Sequence, residues 1–224
     1  MPETLASRIA IEFTRTRGWE ARDRRDDDFA DYAGMVRWAR RHGLIAGAVA
    51  RALRRAATLR PAAAVHAVAR ARSLRLVAYR VLVACARGET PARSDVARLN
   101  AWWRRAARWQ RLVSVRGRRA SARPGGPGAA RRASTLQHGA AALQRQWLPG
   151  AESQLDRVSW VAAGAVIELL LSAEAERLRL CASHDCGWLF LDVSRNGRRR
   201  WCSMAACGNV EKARRFRSRA GSGH

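Results

Sequence analysis

Four cysteines in the last fifth of the chain constrain it most. Cys181 and Cys186 form one C-x4-C pair and Cys202 and Cys207 a second, with fifteen residues between the pairs. Each close pair can offer two thiolates from one local turn, and a hairpin-sized spacer can bring the turns together around a tetrahedral zinc ion. The metal holds such thiols deprotonated. Four thiolates fill the coordination sphere, so one Zn2+ here is structural and leaves no position for a catalytic water. His184 and Asp185 lie inside the first pair as alternative ligands, although four thiolates already suffice. Cys85 sits alone in an apolar helical pattern and reads as a core residue.

The spacer predicts a hairpin. Trp188 and Phe190 alternate with Leu189 and Leu191, Ser194-Arg195-Asn196-Gly197 has tight-turn chemistry, and residues 199–201 would return as the second strand. Ser203 can cap a helix on which Met204, Cys207, Val210 and Ala213 recur at helical spacing. Knuckle, hairpin and helix in that order predict a treble-clef-like module.

Charge points to a partner. The net charge is +25, and all but Lys212 of the 43 basic residues are arginine. Part of that excess is an Arg/Ala compositional habit, so local clustering is the better evidence. Arg195, Arg198, Arg199, Arg200, Lys212, Arg214, Arg215, Arg217 and Arg219 fall within 25 residues, opposed only by Glu211. A rigid metal core carrying two basic elements suits phosphate and groove contact with double-stranded DNA.

The rest of the chain reads as mainly α. Helical spacing recurs over residues 32–42, 44–59, 74–88 and 155–174. A further helix over residues 95–109 would be capped by Ser94 and bury Val96, Leu99, Trp103 and Ala106. Trp102, Trp103 and Trp109 could stack on bases, but the spacing assigns Trp103 to the core. Residues 115–134 are rich in Gly, Pro, Ser and Arg and read as a flexible loop, flanked by short stretches that can pair as strands. The hydrophobic fraction of 48% allows a sizeable core. The N-terminus lacks a secretion-signal layout, and the longest apolar stretch, residues 160–171, is short and carries Glu168. A cytoplasmic protein with no membrane partner follows. There is no Gly-rich phosphate loop or nucleophile–base motif, so nothing points to an enzyme.

The text CGWLFLDVSRNGRRRWCSMAACGNVEKARR resembles the CGNR zinc-finger family. The resemblance implies that Cys181, Cys186, Cys202 and Cys207 bind zinc. The signature Arg after Gly208-Asn209 is Val210 here. In that family the finger usually follows a helical domain called ABATE, in proteins regarded as candidate stress-induced transcription regulators. RIAIEFTRTRGWE resembles the family's opening strand, with Thr14-Arg15-Thr16 in place of its Asn-Thr pair, and Leu99-Asn100 matches a mid-domain element. The resemblance implies an ABATE-like regulatory domain over residues 1–174 and a finger with a basic helix over residues 175–224. The leading reading is a nucleoid-associated, DNA-binding transcription regulator whose helical domain forms a homodimer or senses a small-molecule effector of unknown kind. A zinc-stabilised protein-interaction module and a zinc-thiolate redox sensor are the alternatives.

Overall fold

The computed structural model describes residues 3–16, 27–116, 135–138 and 141–221. Its spine is α4 (Pro61–Ala86), 26 residues long. Pro61 stands in its first turn, where a missing N–H costs nothing, and Gly88 at φ +71 follows its end. Around it pack α1 (Leu5–Thr14), α2 (Tyr32–Arg41), α3 (Gly47–Leu59), α5 (Arg93–Ala107) and α6 (Arg157–Leu170). Ala67, Ala71 and Ala78 let neighbours approach α4 closely, while Leu74, Val77 and Leu82 fill the space between. Phe13, Phe29 and Trp38 form a fully buried aromatic cluster with ring centroids 5.2–6.0 Å apart.

A three-stranded antiparallel sheet lies beside α5 and α6: β1 (Gln110–Arg116), β2 (Thr135–His138) and β3 (Ala141–Trp147), in the order β1-β3-β2. The expected pairing of the stretches flanking the loop is therefore present. Residues 117–134, most of the expected flexible loop, lie outside the described residues.

Two expectations need correcting. The segment expected as an opening strand is the helix α1. Ile9, Ile11 and Phe13 do alternate, but Ser7 and Ala10 are buried as well, so most of the circumference is covered. A helix buried nearly all round loses the one-sided pattern that marks it as a helix. Thr4 caps it, accepting from Ser7 N–H at 3.2 Å, and Glu174 reaches back to Thr4 N–H at 3.0 Å.

The second correction is the rotation of α5. Trp102 is buried at 8% exposure, whereas Trp103 is 47% exposed and Val96 faces solvent. Asp95 explains it. Its carboxylate is buried and takes a two-pronged ion pair from Arg80 of α4, at 2.7 and 2.6 Å. With Asp95 held against α4, the inward stripe becomes 95, 99, 102 and 106. The cap differs too: Ala92 precedes the helix, with no side-chain cap bond from Ser94.

A second two-pronged pair joins distant segments. Arg75, 5% exposed, donates to Asp27 at 2.7 and 3.0 Å and to Thr16 Oγ1 at 2.9 Å. Burial pushes the Asp27 carboxyl up, but the hydrogen bond from Arg75 and its charge outweigh this and hold it below its ordinary value. A lowered folded value means that the stabilisation is full above the unfolded value of about 3.9 and is lost as pH falls through the folded one. Asp27→Asn should cost about 2–4 kcal/mol at neutral pH by stranding the Arg75 guanidinium. Urea titrations should show the variant gap closing as the pH drops below about 4.

Candidate metal centre

The chain leaves α6 through a short 3-10 turn (Ala173–Arg177) and enters β4 (Leu178–Leu180), which pairs antiparallel with β5 (Leu189–Leu191). The hairpin of the module is therefore built from strands on either side of the first cysteine pair. Residues 199–201, expected as the returning strand, form no strand; Ala182 N–H reaches Arg200 C=O at 2.9 Å instead. The turn before them supplies the reason. The buried Asp192 carboxylate accepts from Ser194 N–H at 3.0 Å and from Arg199 N–H at 2.9 Å. Burial raises the Asp192 carboxyl, yet these hydrogen bonds prevail and hold it below the ordinary aspartate value. Held by one carboxylate, the loop closes on itself and leaves no ladder for a strand. Gly197 sits in this turn at φ +61, a conformation that favours glycine.

β5 has two working faces. Leu189 and Leu191 belong to the main core with Leu178, while Phe190 packs against Cys181 and Cys207. Alternation along three residues makes this strand the wall between helical core and cysteine cluster. Burial of each leucine contributes about 2 kcal/mol. Arg15, just past α1, donates to Leu189 C=O at 2.7 Å and lies 4.9 Å over the Trp188 ring. Tyr79 of α4 donates to Gly187 C=O at 2.9 Å. The first knuckle is thus tied to α1 and α4.

The four sulfurs converge. All lie within 4.8 Å of one another, with Cys186 to Cys202 at 3.7 Å and Cys202 to Cys207 at 3.6 Å. A tetrahedron with zinc–sulfur bonds of about 2.3 Å has an edge of about 3.8 Å, whereas a disulfide needs about 2.05 Å. None of the five cysteines forms a disulfide. Hydrogen bonds from Cys186 and Cys202 draw the Cys181 thiol well down, and the contact with Cys181 pushes the thiols of Cys186 and Cys202 up. Thiols this close cannot all ionise together unless a cation balances them. Cys202 N–H also points at the Cys181 sulfur at 3.4 Å. The donor set and spacing fit one structural Zn2+, held by Cys181, Cys186, Cys202 and Cys207. His184 is not part of the cluster; it is largely exposed and pairs with Asp185 at 2.8 Å.

The second pair rides on a helix. Ser203 caps it, accepting from Ala206 N–H at 3.2 Å, and Met204–Gly208 forms a wider π turn that turns Cys207 inward. The chain continues as α7 (Asn209–Gly221). Cys207 is buried as expected, but Ala213 is exposed. Glu211 accepts from Ser183 Oγ at 2.9 Å and His184 N–H at 3.2 Å, clamping α7 to the first knuckle.

The basic residues divide by environment. Arg195, Arg198 and Arg200 are exposed around the turn, and Lys212, Arg214 and Arg217 are exposed on α7. Arg199 turns inward: its guanidinium donates to Trp201 C=O at 2.9 Å and to Cys202 C=O, and lies 4.8 Å over Phe190. The side chains of Arg215 and Arg219 lie outside the described residues. Asp192, Arg199 and Glu211 are structural parts of the site that the cysteine spacing does not reveal. Only Asp192 leaves a trace, as an Asp two residues before a Ser at a turn.

A helical bundle thus carries a four-cysteine finger on its last strand pair. The family model for the CGNR zinc finger matches residues 177–220, and the ABATE model, described as "Putative stress-induced transcription regulator", matches residues 7–173. The chain belongs to the ABATE family. No curated protein matches it.

Arg199 should support the metal site through the carbonyls it binds. Arg199→Ala should keep one zinc per chain but hold it about 10–100-fold less tightly, as outer partners of metal ligands do. Competition with a chromophoric chelator measures this. Unchanged affinity would make the two carbonyl contacts incidental.

Proposed function

We propose that this protein is a DNA-binding transcription regulator. Residues 175–224 would dock on double-stranded DNA, and residues 1–174 would sense a signal or dimerise. The reading places it in the cytoplasm, at the nucleoid. The observation that carries it is the exposed cation set on a metal-stapled frame: Arg195, Arg198 and Arg200 on the turn, with Lys212, Arg214 and Arg217 on α7. Glu211, the one acid among them, is occupied by the first knuckle. The set is held by a carboxylate at one end and a zinc site at the other, so little ordering remains to be done on binding. Arg199 belongs to the frame and not to the contact surface. Val210, at the family's Arg position, is half-buried, and the neighbouring cations carry the contact instead.

The family matches concern a regulator and a zinc finger, and neither describes an enzyme. Among the described residues no helix is long and apolar enough to cross a membrane.

Fluorescence anisotropy on duplex DNA across a salt series tests the reading. If the six exposed cations meet phosphates, log K should fall against log salt with a slope of about −5. Replacing Arg198, Arg200 and Lys212 together by alanine should flatten that slope by about 3 and weaken binding to all sequences. Binding that ignores salt, or no binding by zinc-loaded protein, would contradict it.

A further inference from the structure

The last helix, α7, is anchored at its start and uncovered beyond it. Ser203 caps the turn that leads into it, Cys207 belongs to the metal site, and Glu211 holds the first knuckle. From Lys212 onward no side chain among the described residues is buried: Lys212, Ala213, Arg214, Phe216, Arg217 and Ser218 are all exposed. At about 100° per residue, these positions reach most of the way round the helix. Phe216 is the one aromatic residue of α7 and is 75% exposed.

Its neighbours, more than its exposure, mark Phe216. A single apolar side chain on a surface is ordinary. Here Ala213 stands one turn before Phe216 and makes a short apolar strip with it, bordered by Lys212 on one side and Arg217 on the other. Such a face suits an occupant that is anionic at its edges and apolar in its middle. The major groove of duplex DNA has that layout, with phosphates along its walls and thymine methyl groups on its floor. It also has the room. The groove is about 12 Å wide, and an α-helix with its side chains is about 10–12 Å across. The span from Lys212 to Gly221 is about 15 Å long, the rise of about four base pairs. A groove surrounds a helix that is uncovered on most sides, whereas docking on a protein would cover one face and leave the cations of the others in water.

We propose that α7 lies in the major groove and that Phe216 reads thymine by burying its 5-methyl group. Phe216 then sets sequence preference, while the surrounding cations set affinity. The inference rests on the DNA-binding reading above. Each methyl group so buried is worth about fourfold in affinity.

The test begins with zinc-loaded full-length protein, used to enrich a preferred site from a pool of random duplexes of about 20 base pairs. Each thymine of that site is then replaced in turn by uracil, which removes the methyl group and keeps the base pairing and the phosphate charge. At one or more positions uracil should weaken binding about fourfold. Phe216→Ala should bind the thymine and uracil duplexes alike, with zinc content, melting temperature and salt slope unchanged. Arg214→Ala, on the opposite side of the helix, should flatten the salt slope by about 1 and keep the thymine preference. Salt-dependent binding with no thymine–uracil difference at any position would overturn this inference and leave the DNA-binding reading standing. A thymine preference that survives Phe216→Ala would overturn it as well, by placing the methyl contact elsewhere. The absence of salt-dependent duplex binding would overturn both.

Discussion

Everything from α1 to the basic helix depends on one three-residue strand having two insides. Leu189 and Leu191 close the helical core, and Phe190, one step between them, closes the cysteine cluster. Because side chains alternate strictly along a strand, neither face can shift without moving the other. The finger is therefore not a bead on a linker. Its first knuckle is held by Arg15 and Tyr79 from the helical domain, and its second by Arg199 and the cap at Ser203. The metal site inherits its rigidity from both directions and passes it to the turn and α7, where the exposed cations are.

Much of the helical fold was legible from spacing. The inward faces of α4 and α6 follow their apolar periodicity, and Gly88 marks the end of α4 where it was expected. Reading failed where charge overrides apolar pattern. α5 is rotated from the expected stripe because Asp95 is an inward residue, and a sequence reader treats aspartate as outward unless its partner is known. That partner, Arg80, lies on another helix, so the pair is invisible along the chain. α1 failed for a different reason. It is buried on nearly all sides, and the alternation of Ile9, Ile11 and Phe13 that remains looks like a strand.

At the site the four ligands were legible because metal coordination needs particular atoms at particular spacing. The scaffold that aims them was not. Asp192, Arg199 and Glu211 act through backbone groups and through one another, and such contacts leave no periodic mark. The hairpin was expected between residues 188 and 201, but the strand that pairs with β5 comes before the first cysteine. Local turn chemistry at residues 194–197 suggested a partner downstream, while Leu178 and Leu180, opposite Leu191 and Leu189, offered the apolar one. Apolar pairing against the core outweighed proximity in sequence.

Calorimetry of the zinc-loaded chain, with and without a strong chelator, tests the shared wall most directly. If β5 joins the two interiors, removing zinc should lower the melting temperature of the whole protein and reduce amide protection in α1 and α4 as well as in the finger. A helical domain that melts at the same temperature and keeps the same protection after zinc is removed would contradict the account.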